Sequence, residues 1–271
     1  MSLRPYLAGF RLALSQELIH RGNFFVGKAR EFLFFGALLL VFQKLPHGLG
    51  HWSQAQLFTY TIISALVSSQ IVTQGTNTIA NEITDGDLTN FLLRPMSYLG
   101  YCLSRILAAR ALSVFGGLIS IAILLLIFPN IHLTIATSST FPVLDGRHSI
   151  LFASLLFLGS LALMQLIDFI AGLLSFWTDR AYGPRFLTLI LVQFCSGAYL
   201  PIDTLPPTVQ KVLHATPFPS LIYAPVATLI DGVSIQTTQA LKTQLVWMCI
   251  LGIILAIIWR QGVRSYAAYG K

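Results

Sequence analysis

Six long apolar runs constrain this chain more than any motif in it. A helix needs about 20 mostly apolar residues to cross the hydrocarbon core of a bilayer. The runs lie near Phe24–Phe42, Leu57–Ile79, Leu99–Phe128, Ile150–Trp177, Phe186–Leu200 and Leu241–Trp259. The fifth is short and can continue into the segment beyond Pro201. In lipid every backbone polar group must be satisfied within the structure, so helices are the default for such runs. The expectation is an all-α polytopic membrane protein with six transmembrane helices in a single domain, residues 1–271. Composition agrees. Charged residues make up 10% of the chain, against about 25% in soluble domains. Most of the surface of such a chain does not face water.

The net charge of +7 would suggest nucleic acid in a soluble protein. Here the basic residues flank apolar runs, which points to anionic lipid headgroups instead. With the N-terminus on the cytoplasmic side, only Lys44, Arg147, Lys211 and Lys242 of the 17 basic residues fall outside. The positive-inside rule therefore puts both termini in the cytoplasm of an inner or plasma membrane, and an even number of spans agrees. Residues 1–21 lack the continuous apolar core of a cleaved signal peptide. Leu3, Leu7, Phe10, Leu14 and Leu18 recur there at helical spacing. That predicts an interfacial amphipathic helix lying in the headgroup plane, with a short helix packed on the protein as the alternative. Cys102, Cys195 and Cys249 all sit in apolar segments, and three thiols make no disulfide framework or zinc pattern.

Two outer segments do not span. Residues 129–148 form a polar loop, and residues 201–240 open with six prolines between 201 and 225. Thr208–His214 and Ser220–Ala224 are apolar pieces too short to cross. They predict short re-entrant helices buried against the protein between spans five and six.

The loop at 80–97 concentrates chemistry. It reads Asn81-Glu82-Ile83-Thr84-Asp85-Gly86-Asp87-Leu88-Thr89-Asn90-Phe91-Leu92-Leu93-Arg94-Pro95. Acids early and a cation late suit the two ends of a helix dipole. Gly86 permits a turn, and Asp85 and Asp87 are capping residues. The reading is a short amphipathic helix projecting from the membrane base, with Leu88, Phe91 and Leu92 as anchors for a groove on a soluble partner. A polar connector whose apolar residues return to the bilayer fits the same spacing.

The stretch Glu82-Ile83-x-x-Gly86-x-Leu88-x-x-x-Leu92-Leu93-Arg94-Pro95 resembles the cytoplasmic motif of ABC-2-type permeases, the membrane subunits of ABC exporters. The tail Arg260-x-Gly262-x-x-x-Tyr266-x-x-Tyr269-Gly270, the outer Pro201-x-x-x-Leu205-Pro206 and the run Pro217 to Pro225 resemble the subgroup whose permeases occur in pairs. The resemblance implies that Glu82, Gly86, Leu88, Phe91, Leu92, Leu93 and Arg94 belong to a coupling helix that docks on an ABC ATPase. Residues 1–21 would be a connecting helix. ATP and Mg would sit on that separate ATPase, present in two copies. A second permease, paralogous or identical, would complete the pathway. The sequence itself carries no phosphate-binding loop, since Gly27-Lys28 is followed by Ala29 without the upstream glycine.

Ionisable residues inside spans are functional candidates because burying them unpaired is costly. Asp168 lies in the fourth run, and Arg110 in the third is at similar depth. They read as an intramembrane ion pair, or Asp168 as a contact for a cationic or amphiphilic cargo with Gln165 one turn away. Gln70, Thr73, Gln74 and Asn77 form a polar run in the second span and are pathway or dimer-interface candidates. Gly116, Gly117, Gly159 and Ser160 suit close helix approach. The competing classes are a membrane-embedded enzyme acting on lipid or glycan, and a channel or assembly subunit. His47-x-x-x-His51 has metal-ligand spacing but lacks the glutamate of a zinc protease.

Overall fold

The computed structural model describes residues 4–19, 21–44, 49–50, 52–71, 75–93, 97–127, 146–178 and 182–266. Among them the chain is helical, with α1 (Arg4–Ile19), α2 (Arg21–Gln43), α3 (Gln54–Ile71), α4 (Gly75–Thr84), α5 (Leu88–Leu92) and α6 (Tyr98–Ile127). There follow α7 (Gly146–Leu173), α8 (Tyr182–Cys195), α9 (Pro207–His214), α10 (Tyr223–Asp231) and α11 (Ile235–Ser265). The extended pairing in the described residues is a single bridge, Leu49 to Trp52. Among the described residues, three segments are long and apolar enough to cross a membrane: Tyr98–Ile119, His148–Phe176 and Ile235–Ser265. Phe32–Gln43 and Phe186–Cys195 are shorter apolar helices.

Helix α7 is central and touches α3, α4, α8, α10 and α11. Its closest partner is α11, and small residues set the approach. A Cβ at Gly159 would lie 2.6 Å from Gln244 Cδ, and one at Gly262 of α11 would lie 2.7 Å from Phe176 Cγ. Small residues in membrane bundles let backbones approach in this way. Gln244 is buried there and donates from Nε2 to Leu156 O (3.1 Å), Ser160 Oγ (3.2 Å) and Ser220 O (3.4 Å). Gly117 of α6 packs in the same manner on Leu66 and Ser69 of α3.

Two apolar cores occupy the two ends of the bundle. One gathers Ile79, Ile83, Leu88, Tyr98, Cys102, Phe169, Leu173 and Leu255. The other gathers Trp52, Leu57, Tyr60, Leu163, Val192, Leu221, Ile222 and Val226. The chain's first helix, the α4–α5 loop and the end of α11 thus meet at the first end. The connection 196–234 closes the second, where Tyr60 donates its hydroxyl to Gly197 O. Gly197 needs to be glycine, because its φ is +79° and a Cβ would meet Tyr223 Cβ at 2.9 Å.

In α1, Leu7 is 59% exposed. Gly9 and Ala13 are buried, with Gly9 closed on by Tyr101 of α6. The small residues permit close contact with that helix. Of the two outer pieces, only one is buried. The α10 helix packs on α7 and α3, whereas α9 has no buried residue.

Candidate functional site

The loop singled out in the sequence is built on a rigid base. Helix α4 ends as Asp85 N donates to Asn81 O (2.8 Å), and Gly86 takes a φ of +86° to reverse the chain. Thr89 N then donates to Gly86 O (3.2 Å), which starts α5. The left-handed conformation explains why glycine stands at this position. Asp87 sits at the N-cap, yet its side chain makes no capping bond. Its carboxylate faces outward, as does that of Asp85.

Glu82 points inward. Its carboxylate pairs with Arg105 of α6 and accepts the Tyr98 hydroxyl at 2.6 Å. Tyr98 in turn stacks on Trp259 of α11, with ring centroids 5.5 Å apart and planes 8° from parallel. Arg105 also lies over the Tyr101 ring at 5.5 Å. Tyr101 packs on Phe91 at 5.0 Å and against Gly9 of α1. Ser97 N donates to the Tyr6 hydroxyl at 3.2 Å. One set of side chains therefore ties α1, α4, α5, α6 and α11 together beneath the loop.

The expected anchors divide. Leu88 is fully buried in the chain's own core, so it is no anchor for a partner. A helix of five residues cannot turn one apolar face inward and a second outward, and the interior claims Leu88 and half of Phe91. Leu93, just past the end of α5, is 82% exposed beside exposed Asp85, Asp87 and Asn90. Arg94 and the Leu92 side chain lie outside the described residues.

The intramembrane candidates are brought together inside the subunit. Gln70 of α3 is buried and accepts from Ser113 Oγ of α6 at 3.0 Å. Arg110 donates from Nη1 to Leu161 O of α7 at 3.4 Å, and Asp168 acts on it electrostatically. Arg110 Nε and Nη2 have no hydrogen-bond partner among the described residues. Gln165 and Asp168 are both buried on α7. Thr73 and Gln74 lie outside the described residues, and so does the Asn77 side chain. Sequence reasoning missed Gln244, which has no motif around it. Its only signal is a glutamine near the start of an apolar run.

A family model described as "ABC-2 family transporter protein" matches residues 29–270. The chain belongs to the ABC-2 transporter family. It is thus a membrane protein of the transporter-permease type, and the loop from α4 to α5 lies within the ABC-2 match. Helix α1 precedes the matched region. No curated protein matches the chain.

Proposed function

We propose that this chain is the transmembrane permease subunit of an ATP-driven ABC exporter, forming half of a translocation pathway and coupled to a separate ATPase chain. The spans are α2, α3 with α4, α6, α7, α8 and α11, with both termini in the cytoplasm. A second permease, paralogous or identical, supplies the other half, and the cargo is amphiphilic. ATP and Mg act on the ATPase, and this chain contributes the docking loop.

The observation that carries the reading is the exposed Leu93 on a loop whose other described apolar residues, Ile83, Leu88 and Phe91, pack into the chain. An exposed leucine on a loop that also exposes Asp85 and Asp87 suits a helix-in-groove contact. Force applied there passes through Glu82 and Arg105 to α6, and through Tyr98 and Trp259 to α11. That is rigid-body transmission, which needs no bond making in this chain.

The test compares Leu93→Asp with Leu88→Asp in a tagged chain captured from gently solubilised membranes. Leu93→Asp should insert and run as a single species, yet lose its ATPase. Leu88→Asp should fail to fold, because it buries an unpaired charge. ATPase capture unchanged by Leu93→Asp would remove the docking assignment.

A further inference from the structure

A large cleft lies at the other end of the bundle, away from the loop. It has a volume of about 1190 Å³ and separates α9 from the first turns of α11. Its floor is α10, where Tyr223 donates its hydroxyl to Asp203 and Thr228 meets Thr237 at 3.2 Å. Trp247 of α11 donates its indole N–H to Ala215 O at 3.1 Å, which ties α11 to the end of α9. Pockets that enclose a small organic molecule are commonly about 300–1,000 Å³, so this one is large enough for more than a bare ion.

The charges lining it are mixed. Lys211 and His214 stand on the α9 wall, Lys242 on the α11 wall, and Asp203 and Asp231 complete the lining. Both lysines are exposed, so their ammonium groups are free to reach into the cleft. A purely anionic ligand would meet Asp203 and Asp231, and a purely cationic one would meet the lysines. A ligand carrying both signs satisfies both sets. The rim adds a second requirement. Val212 beside Lys211 and Ile235 at the start of α11 are exposed apolar residues, 67% and 65% accessible. Lys242 is the last charge on α11 before an apolar stretch that runs to Arg260. The cleft therefore sits where that helix leaves its apolar part, the level at which headgroups lie.

We infer that this cleft binds a zwitterionic amphiphile, with its anionic group between Lys211 and Lys242 and its ammonium toward Asp231. The inference does not rest on the docking loop or on the partner ATPase.

The experiment uses the full chain with whatever subunits accompany it, in detergent micelles. Phosphatidylethanolamine or phosphatidylglycerol with identical acyl chains is titrated in, and bound lipid is counted by native mass spectrometry. Saturable binding of phosphatidylethanolamine is expected. It should weaken about tenfold in the Lys211→Ala, Lys242→Ala double variant and in Asp231→Asn, the loss expected for one charge-assisted hydrogen bond. These positions are exposed, so the fold should survive, and an unchanged elution volume checks it. Equal binding of the two lipids overturns the inference, and so does binding that all three substitutions leave untouched. Competition by soluble phosphoethanolamine supports recognition of the head group alone. Saturable lipid binding without that competition supports a lipid, with the acyl chains adding affinity.

Discussion

Gly159→Ala tests how α7 and α11 are held together. The new methyl would sit 2.6 Å from Gln244 Cδ, against roughly 3.5 Å for an ordinary carbon contact. The Gln244 amide must then shift by about 1 Å, and its bonds of 3.1, 3.2 and 3.4 Å to Leu156, Ser160 and Ser220 cannot survive that. Interhelical polar contacts in membranes average only about 0.6 kcal/mol, because the unfolded chain in lipid also finds partners. Three such losses come to about 2 kcal/mol, and a buried amide left without partners adds about 1–3 kcal/mol. The expected destabilisation is about 3–5 kcal/mol, or roughly 6–20 °C in apparent Tm. The assay is fluorescence-detected size-exclusion chromatography of heated, detergent-solubilised protein. Gln244→Ala makes room for the methyl. The double variant should therefore melt close to Gln244→Ala alone, with a coupling about as large as the Gly159→Ala loss itself. Purely additive losses would refute the steric argument, since the methyl would then be acting elsewhere.

Gly86→Ala should cost about 1 kcal/mol, because its φ of +86° is strained for any residue with a Cβ while the space around it is open. Denaturant unfolding in detergent checks the size of that loss, and it should fall well short of the Leu88→Asp defect. Asp168→Asn and Arg110→Gln should be non-additive in the same assay, with a coupling near 1 kcal/mol. Additive losses would show that the field between them does not matter to folding.

The apolar runs located the long helices because twenty greasy residues have few other fates. Small residues were legible too, in that Gly117 and Gly159 do sit at helix contacts. What the sequence hid depends on competition between faces. In α1 the leucines recur at helical spacing, yet Tyr101 of α6 closes on Gly9, where a Cβ would lie 2.7 Å from its Cε2. In the loop, Leu88 and Leu93 look alike on paper, and five residues of distance along a tight turn send one inward and one outward. Glu82 read as part of a docking motif, and its carboxylate instead serves Arg105 and Tyr98 inside the chain. Such choices turn on partners far away in sequence, which periodicity cannot report.

Helix α11 spans 31 residues without a proline, about 46 Å at 1.5 Å per residue. The hydrocarbon core is only about 30 Å thick. Tilt alone cannot absorb the difference, since transmembrane helices rarely lean more than about 40°. The helix must overhang the apolar layer. At one overhang stands the cleft wall with Ile235 and Lys242, and near the other Trp259 stacks on Tyr98. A single unbroken rod thus has one tip in each headgroup layer. Whatever tilts it at one face of the membrane must displace its tip at the other, with no hinge in between to take up the motion.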